Sequence, residues 1–219
     1  MGNDVWLREL SETLEWECPE TRVRAFRGSR LDLENGSTHF LFCYAGQATL
    51  RRELGSYPMA EGMFASVPGA CSIDGTMANA SGLVVSHLGY AGMFALGGPI
   101  EATGRLRYID GCTDSLLLSP PVLGDPCFNH LHIPKGTQQT KHVHPSVRVG
   151  LVVRGEGMCL TPNAEWPLRP GLAFMLPPNV LHAFWTQGSS LDVVVYHPDS
   201  DTGPTDADHP MRNRTIIPT

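Results

Sequence analysis

Short apolar runs recur along the chain, many of them alternate with polar residues, and glycine or proline separates most of them. This pattern predicts short strands. Trp6, Leu7, Leu10 and Leu14 are an exception, because they recur at helical spacing and predict a short amphipathic helix over residues 4–16. The expected architecture is therefore all-β, an antiparallel sandwich or barrel with a short N-terminal helix. The strands are predicted near residues 38–44, 47–52, 62–67, 82–89, 105–110, 114–119, 127–133, 140–144, 147–153, 156–161, 171–176, 181–186 and 191–197.

An internal repeat organises the chain. Turn residues and apolar pairs of the first half recur 109 positions later without a gap, so that Gly46 falls on Gly155, Pro58 on Pro167, Gly62 on Gly171, Pro68 on Pro177, and residues 84–85 on 193–194. A constant offset across such positions indicates two copies of one β unit. We therefore predict two domains, at residues 1–110 and 111–219, with an acidic tail from Pro198 onwards.

Composition and charge narrow the possible partners and location. The chain has 219 residues, a net charge of −6 and no basic run, so nucleic acid and anionic membrane surfaces are poor candidate partners. No stretch approaches the roughly eighteen apolar residues of a membrane span, and the N-terminus lacks a signal-peptide pattern. The six cysteines include no CxxC pair and are expected to be reduced thiols. We expect a cytoplasmic protein that acts on a small-molecule substrate.

Three histidines form the strongest chemical signal. His142 and His144 are two positions apart, so their side chains share one face if the segment is extended. His182 can reach the same point from another strand. Three neutral imidazoles around one position make a metal site that leaves room for water or substrate. We therefore predict one divalent metal ion bound by His142, His144 and His182.

The spacing around these histidines resembles the two sequence motifs of the cupin superfamily. The first motif, G-x5-HxH-x3-E-x6-G, is matched by Gly136, His142, His144 and Gly155. The second motif, G-x5-P-x-G-x2-H-x3-N, is matched by Gly171, Pro177 and His182. Asn179 stands for the middle glycine, and asparagine tolerates a left-handed turn. Thr186 replaces the final asparagine.

The resemblance implies a double-stranded β-helix, or jelly roll, in each half, and hence a bicupin. In the first copy the positions equivalent to the three ligands hold Leu33, Asn35 and Ile73, which implies a metal-free barrel. The resemblance also implies a homodimer. Three-histidine cupins include iron-dependent dioxygenases, so Fe(II) is the favoured metal, with Zn, Ni, Mn or Cu as alternatives.

Arg148 occupies the position where the cupin motif usually supplies a glutamate ligand. A guanidinium cannot bind a metal cation, so the predicted site has three histidines and no negative ligand. Two hypotheses follow. Arg148 anchors the acid group of a small anionic substrate, or it forms a structural ion pair with Glu156 or an aspartate of the tail.

The leading functional hypothesis is a metal-dependent enzyme, a dioxygenase that acts on a small organic anion. The alternatives are a non-catalytic ligand-binding or sensor protein and a redox-inert metal lyase or isomerase. No general base stands out; Tyr196, His130 and His132 are candidates, and the two histidines are expected more often outside the metal site. Alternate residues among Phe174, Met175, Phe184 and Trp185 are expected to line an apolar cavity.

Overall fold

A computed structural model of the chain describes residues 5–18, 20–212 and 216. These residues form strands, turns and two short 3-10 helices at Ile109–Gly111 and Pro210–Arg212. In the described part of the chain, no helix is long and apolar enough to cross a membrane. The strands of the first half are β1 (Trp6–Glu9), β2 (Glu15–Cys18), β3 (Thr21–Arg27), β4 (Arg30–Leu33), β5 (Ser37–Ala45), β6 (Gln47–Arg52), β7 (Gly55–Ala60), β8 (Phe64–Pro68), β9 (Cys71–Gly75), β10 (Ser81–Leu88), β11 (Ala95–Gly97) and β12 (Leu106–Arg107). Those of the second half are β13 (Thr113–Leu118), β14 (Cys127–Ile133), β15 (Arg148–Gly155), β16 (Gly157–Leu160), β17 (Glu165–Leu168), β18 (Leu172–Leu176), β19 (Ala183–Trp185) and β20 (Leu191–His197).

Two pairs of antiparallel sheets hold these strands. The first pair has a six-stranded sheet, in the order β11-β8-β5-β10-β3-β2, and a four-stranded sheet, β4-β9-β6-β7. The second pair has a seven-stranded sheet, β1-β18-β15-β20-β14-β13-β12, and a three-stranded sheet, β17-β16-β19. The order β8-β5-β10-β3 in the first half corresponds to β18-β15-β20-β14 in the second half.

Strands of the two large sheets are buried on both faces. Phe40 and Phe42 of β5 face a central core between the two large sheets, whereas Leu41 and Cys43 face an inner core within the first sheet pair. Strands β15 and β20 alternate in the same way between the central core and an inner core of the second pair. Burial on both faces explains why these strands are nearly continuous apolar runs. The central core includes Leu10, Phe42, Leu83, Phe128, Leu151, Val194 and Tyr196.

The predicted N-terminal helix is wrong. Of residues 4–16, residue 4 lies outside the described residues, and the others form β1, a turn and the start of β2. Strand β1 lies at the edge of the seven-stranded sheet, where Trp6 pairs with Met175. Leu10 and Leu14 follow β1 and are buried in the central core. The apolar positions therefore belong to a strand and to two buried leucines after it, and their spacing coincides with that of a helix.

Other differences from the sequence prediction concern short elements. Residues 140–144 form no strand, although His142 makes a single bridge with His182. The predicted strand at 105–110 is reduced to β12 and a 3-10 turn. The tail after Pro198 is irregular, and the amides of Leu123 and Gly124 donate to the carbonyls of Pro204 and Ser200. The sequence prediction contained no strand at β2, β3, β4, β7, β9, β11 and β17.

Candidate metal centre

Backbone hydrogen bonds hold the two histidine segments together. The amide of His142 donates to the carbonyl of His182 at 2.9 Å, and the amide of His182 donates to the carbonyl of His142 at 3.0 Å. The amide of Asn179 donates to the carbonyl of His144 at 2.7 Å. Asn179 has φ 60°, so the expected left-handed turn at this position is confirmed. These bonds fix the backbones that carry all three imidazoles.

The three imidazoles converge on one point. A ring nitrogen of each of His142, His144 and His182 lies within 4.8 Å of the others. The ring centroids are 5.0, 4.6 and 5.2 Å apart for the pairs 142–144, 142–182 and 144–182. Val143, between the first two ligands, is half exposed, so the extended segment alternates as a strand would.

Carbonyl groups fix which nitrogen of two rings faces the centre. Nδ1 of His142 donates to the carbonyl of Thr140 at 2.8 Å, and Nδ1 of His182 donates to the carbonyl of Val180 at 2.9 Å. Each bond places the ring proton on Nδ1 and leaves the lone pair of Nε2 free to bind a metal. The surrounding backbone thus selects the tautomer that a metal ligand requires.

The electrostatics also favour neutral imidazoles. Burial, the charge of Arg148 and the neighbouring imidazoles lower the pKa of His144 to about 3. Burial lowers the pKa of His182 to about 4, although the Val180 carbonyl opposes the shift. Neutral rings offer lone pairs at neutral pH without first losing a proton. The donor set, its spacing and its protonation therefore fit a divalent metal ion such as Zn or Fe(II).

A cavity of about 250 Å³ adjoins the three histidines. Phe174 and Phe184 line it, whereas Met175 faces the central core and Trp185 lies outside the cavity. The expected alternation of inward and outward aromatic side chains is confirmed. The cavity has room for a compact organic molecule, and part of its wall is aromatic.

Arg148 lines the same cavity and is nearly fully buried. Its Nη1 donates to the carbonyls of Ser146 and Val147 and to the Ser146 hydroxyl, and lies 3.8 Å from a carboxylate oxygen of Asp199. Its Nε is buried without an acceptor among the described residues, and its Nη2 has no acceptor there either. One edge of the guanidinium is therefore fixed by the protein, while the described chain leaves the donors of the Nε–Nη2 edge unused. Glu156 forms no ion pair with it in the described chain.

The candidate general bases lie elsewhere. His130 and His132 both contact one carboxylate oxygen of Asp192, at 2.8 and 3.0 Å, on the face of the seven-stranded sheet that points away from the cavity. Tyr196 is buried in the central core, where its hydroxyl lies 2.6 Å from Nδ1 of His87. The structure brings none of these three side chains to the histidine cluster.

The cavity contains polar residues that the sequence interpretation missed. Strand parity could have located Asn129, because it alternates with Phe128 and His130 on β14. The others come from separate strands and loops and belong to no motif. Burial and the charge of Arg148 lower the pKa of His197, so this ring is neutral as well. The missed residues are Arg107, Tyr108, Asp114, Asn129, Gln139 and His197.

Comparisons with known proteins agree with this fold. Residues 129–199 match the family model described as Cupin domain, and no curated protein sequence matches the chain. The chain is similar in structure to a cupin 2 conserved barrel domain protein from Leptotrichia buccalis, with a TM-score of 0.64, 15% identity and 88% coverage of each chain. It is also similar to salicylate 1,2-dioxygenase from Pseudaminobacter salicylatoxidans, with a TM-score of 0.66, 11% identity and coverage of 85% of this chain and 76% of that chain.

A third similar structure is oxalate decarboxylase from Bacillus subtilis, a protein with Mn(II) centres, with a TM-score of 0.54 and 11% identity over 93% of this chain and 79% of that chain. At such low identities these likenesses concern the fold. The residues that match the family model include His142, His144 and His182. Residues 129–199 therefore resemble a cupin domain, and the chain is similar in fold to a cupin barrel protein.

Proposed function

We propose that this protein is a metal-dependent cupin enzyme, a dioxygenase that acts on a small organic anion. His142, His144 and His182 hold the metal, and Arg148 anchors the acid group of the substrate. One observation carries the proposal: the three imidazoles line the same small cavity as Arg148, whose Nε and Nη2 have no acceptor in the described chain.

The charge balance of the cavity favours an anionic substrate. Three neutral imidazoles leave the charge of a divalent ion uncompensated, and Arg148 adds a further positive charge to the same wall. Like charges a few ångströms apart repel by several kcal/mol at the effective dielectric of a protein, about 4 kcal/mol at 4 Å for unit charges. Asp199 lies 3.8 Å from Nη1 and is half exposed, so it offsets only part of this charge. Arg107 and Asp114, which also line the cavity, have opposite formal charges, so the balance stays positive. A carboxylate between the metal and Arg148 relieves the repulsion.

Fe(II) is the favoured metal, and Zn, Ni, Mn or Cu also suit three imidazoles with open positions. When bound, Fe(II) would supply the redox chemistry with O2 that a dioxygenase needs. The residues of this chain orient the substrate through Arg148 and exclude water through Phe174 and Phe184. The fold is shared with salicylate 1,2-dioxygenase and with oxalate decarboxylase, so it is compatible with this assignment and with the redox-inert alternative.

The proposed arrangement is a bicupin with a metal-free barrel at residues 1–110 and a metal-binding barrel at 111–219. The corresponding sheet orders of the two halves support it. Leu33 and Ile73 are buried in the inner core of the first sheet pair and offer no ligand atom. Strand β1 pairs with β18, so the first segment of the chain contributes to the second barrel. A homodimer is the proposed assembly, and sedimentation equilibrium would test it.

Metal content is the first test of the function. Protein purified without added metal should contain about one divalent ion per chain, and His182→Ala should contain none. His209→Ala, which removes an exposed histidine from the tail, should retain the metal. Undiminished metal in His182→Ala would contradict the site.

Oxygen uptake is the second test. The Fe(II)-loaded protein should consume O2 with at least one member of a panel of small aromatic and aliphatic carboxylic acids, and Arg148→Ala should lose most of that uptake. Turnover of an acid without O2 consumption would favour a lyase or isomerase. Tight binding without turnover would favour a ligand-binding protein.

A further inference from the structure

Asp114 lies in the wall of the metal cavity. On β13 it pairs with Leu131 of β14, and the side chains of Asp114, Leu131 and Asn129 all line the cavity. Leu131 and Asn129 are two positions apart on β14, so they share its inner face. The register therefore directs Asp114 towards the same space as the three histidines.

The Asp114 carboxylate has no cationic partner among the described residues. Its Oδ1 accepts a hydrogen bond of 2.7 Å from Nδ2 of Asn129, and its Oδ2 accepts none from the described chain. Oδ1 of Asn129 is itself buried without a donor there. Asn129 Oδ1 is thus a buried acceptor without a donor, which is unfavourable, and Asp114 Oδ2 is an accessible acceptor that the described chain does not use.

Asp192 shows how this fold satisfies a carboxylate that has a structural role. It lies on the face of the same sheet that points away from the cavity, where it contacts His130, His132 and Arg154. Burial alone would raise the pKa of Asp192, but hydrogen bonds from these three side chains hold it below its ordinary value. Burial instead raises the pKa of Asp114, and the Asn129 hydrogen bond only partly opposes the shift.

Asp114 and Arg148 stand at opposite sides of the cavity wall. In the sheet register Asp114 lies level with Leu131, Val193 and Val152, and Val152 is four residues from Arg148 on β15. The two backbones are therefore three inter-strand spacings and four residues apart, about 19 Å in a flat sheet. Both residues nevertheless line the same cavity of about 250 Å³, so their side chains shorten the gap that a ligand must span. One compact ligand can therefore contact both.

We infer that Asp114 and Asn129 form a subsite for a hydrogen-bond donor of the substrate. The substrate is then an organic acid that carries a hydroxyl or an ammonium group at the end away from its carboxylate. This inference rests on the proposed function, because Arg148 must hold the carboxylate and thereby direct the other end of the molecule towards Asp114.

Binding measurements on the Zn(II)-loaded protein test the inference without turnover. The probes are benzoate, meta-hydroxybenzoate, para-hydroxybenzoate and para-(aminomethyl)benzoate, and calorimetry gives their Kd values. At least one donor-bearing probe should bind roughly tenfold or more tightly than benzoate, as expected for a hydrogen bond to a charged group. Tighter binding of a hydroxybenzoate would identify the donor as a hydroxyl group, and tighter binding of para-(aminomethyl)benzoate would identify it as an ammonium group.

Two variants separate this subsite from a structural role. Asp114→Ala should abolish the preference for the donor-bearing probe and leave the Kd of benzoate unchanged. Asn129→Leu should reduce the same preference, with Zn(II) stoichiometry and near-UV circular dichroism unchanged in both variants. Asp206→Ala, which removes the same charge from an exposed position of the tail, should keep the full preference.

The outcomes distinguish this inference from the proposed function. Equal binding of all four probes to the native protein, or a preference that survives Asp114→Ala, would overturn the donor subsite while Arg148-dependent benzoate binding still supported the anion site. Failure of benzoate and all its analogues to bind the native protein would overturn both.

Discussion

At the scale of single residues, the two edges of the Arg148 guanidinium have different roles. Its Nη1 side is held by the carbonyls of Ser146 and Val147, with Asp199 nearby. Its Nε–Nη2 side faces no protein acceptor in the described chain. A guanidinium that is fixed on one side loses little conformational entropy when a carboxylate binds the other side. The ion-pair and anion-anchor hypotheses for Arg148 are therefore compatible, because they concern different edges.

A lysine at position 148 would test the role of this edge. Arg148→Lys keeps the charge but removes the planar pair of donors, so the affinity for benzoate should fall about tenfold, roughly 1.4 kcal/mol. Calorimetry on the Zn(II)-loaded variant measures this, and the metal content should stay at the native value.

The control is Arg154→Lys, since Arg154 lies on the same strand and contacts Asp192 on the face of the sheet that points away from the cavity. This variant should bind benzoate as the native protein does. Native affinity in Arg148→Lys would show that charge alone attracts the anion and would count against bidentate recognition.

The cavity residues show which part of the site the sequence could predict. His142 and His144 were predicted from their i, i+2 spacing, and His182 from its position in the second cupin-like motif. Asp114 and Asn129 were missed because their proximity depends on the pairing of β13 with β14, which no short motif encodes. Lone polar residues within apolar strands are the one signal that marks them, and this signal also describes ordinary outward-facing positions.

At the scale of elements, the strand predictions succeeded where glycine or proline lies near the strand ends. The predicted bounds of β6, β14 and β20 agree with the structure, and glycine or proline flanks each of these strands or lies within a few residues. The helix over residues 4–16 failed because β1 obtains its hydrogen bonds from β18, far away in sequence. Apolar spacing in so short a segment cannot distinguish a helix from a strand whose flanking residues are also buried.

Equivalent glycines of the repeat provide a matched test of the two strand turns. Gly46 follows β5 with φ 70°, and Gly155 ends β15 with φ 71°. A Cβ at Gly46 would meet the Cα of Ala80 at 3.0 Å, whereas a Cβ at Gly155 would meet the carbonyl oxygen of Ser190 at 1.8 Å. Both alanines are strained by their positive φ, but only the second one forces the backbone to move.

We expect Gly46→Ala to lower the free energy of unfolding by about 1 to 2 kcal/mol, the cost of a left-handed non-glycine residue. Gly155→Ala should lower it by more than about 3 kcal/mol. Urea unfolding followed by circular dichroism measures both. Gly124→Ala, with φ 95° and open space at its Cβ, controls for strain without contact. Equal losses at Gly46 and Gly155 would contradict the described turn at Gly155.

At the scale of the whole molecule, the two halves share one core. The central core takes side chains from both large sheets, including Phe42 and Leu83 from the first half and Phe128 and Tyr196 from the second. His87 and Tyr196 occupy equivalent positions of the repeat, 109 residues apart, and their side chains form a hydrogen bond of 2.6 Å. The repeated strands therefore face each other through equivalent surfaces, as in a pseudo-twofold arrangement. Separation of the halves would expose this apolar surface to water.

A shared core predicts that metal binding in the second half stabilises the first half as well. Trp16 packs against the central core from β2, and Trp166 packs against the inner core of the second sheet pair. Two single-tryptophan variants, each with the other tryptophans changed to phenylalanine, report on the two halves separately. Zn(II) at a hundred times its Kd should stabilise the folded chain by about 2.7 kcal/mol. Because the chain should unfold as one unit, the urea midpoints from both reporters should coincide and rise together.

His182→Ala should remove the shift from both reporters. A rise confined to Trp166, with an unchanged transition at Trp16, would show that the central core does not couple the two sheet pairs.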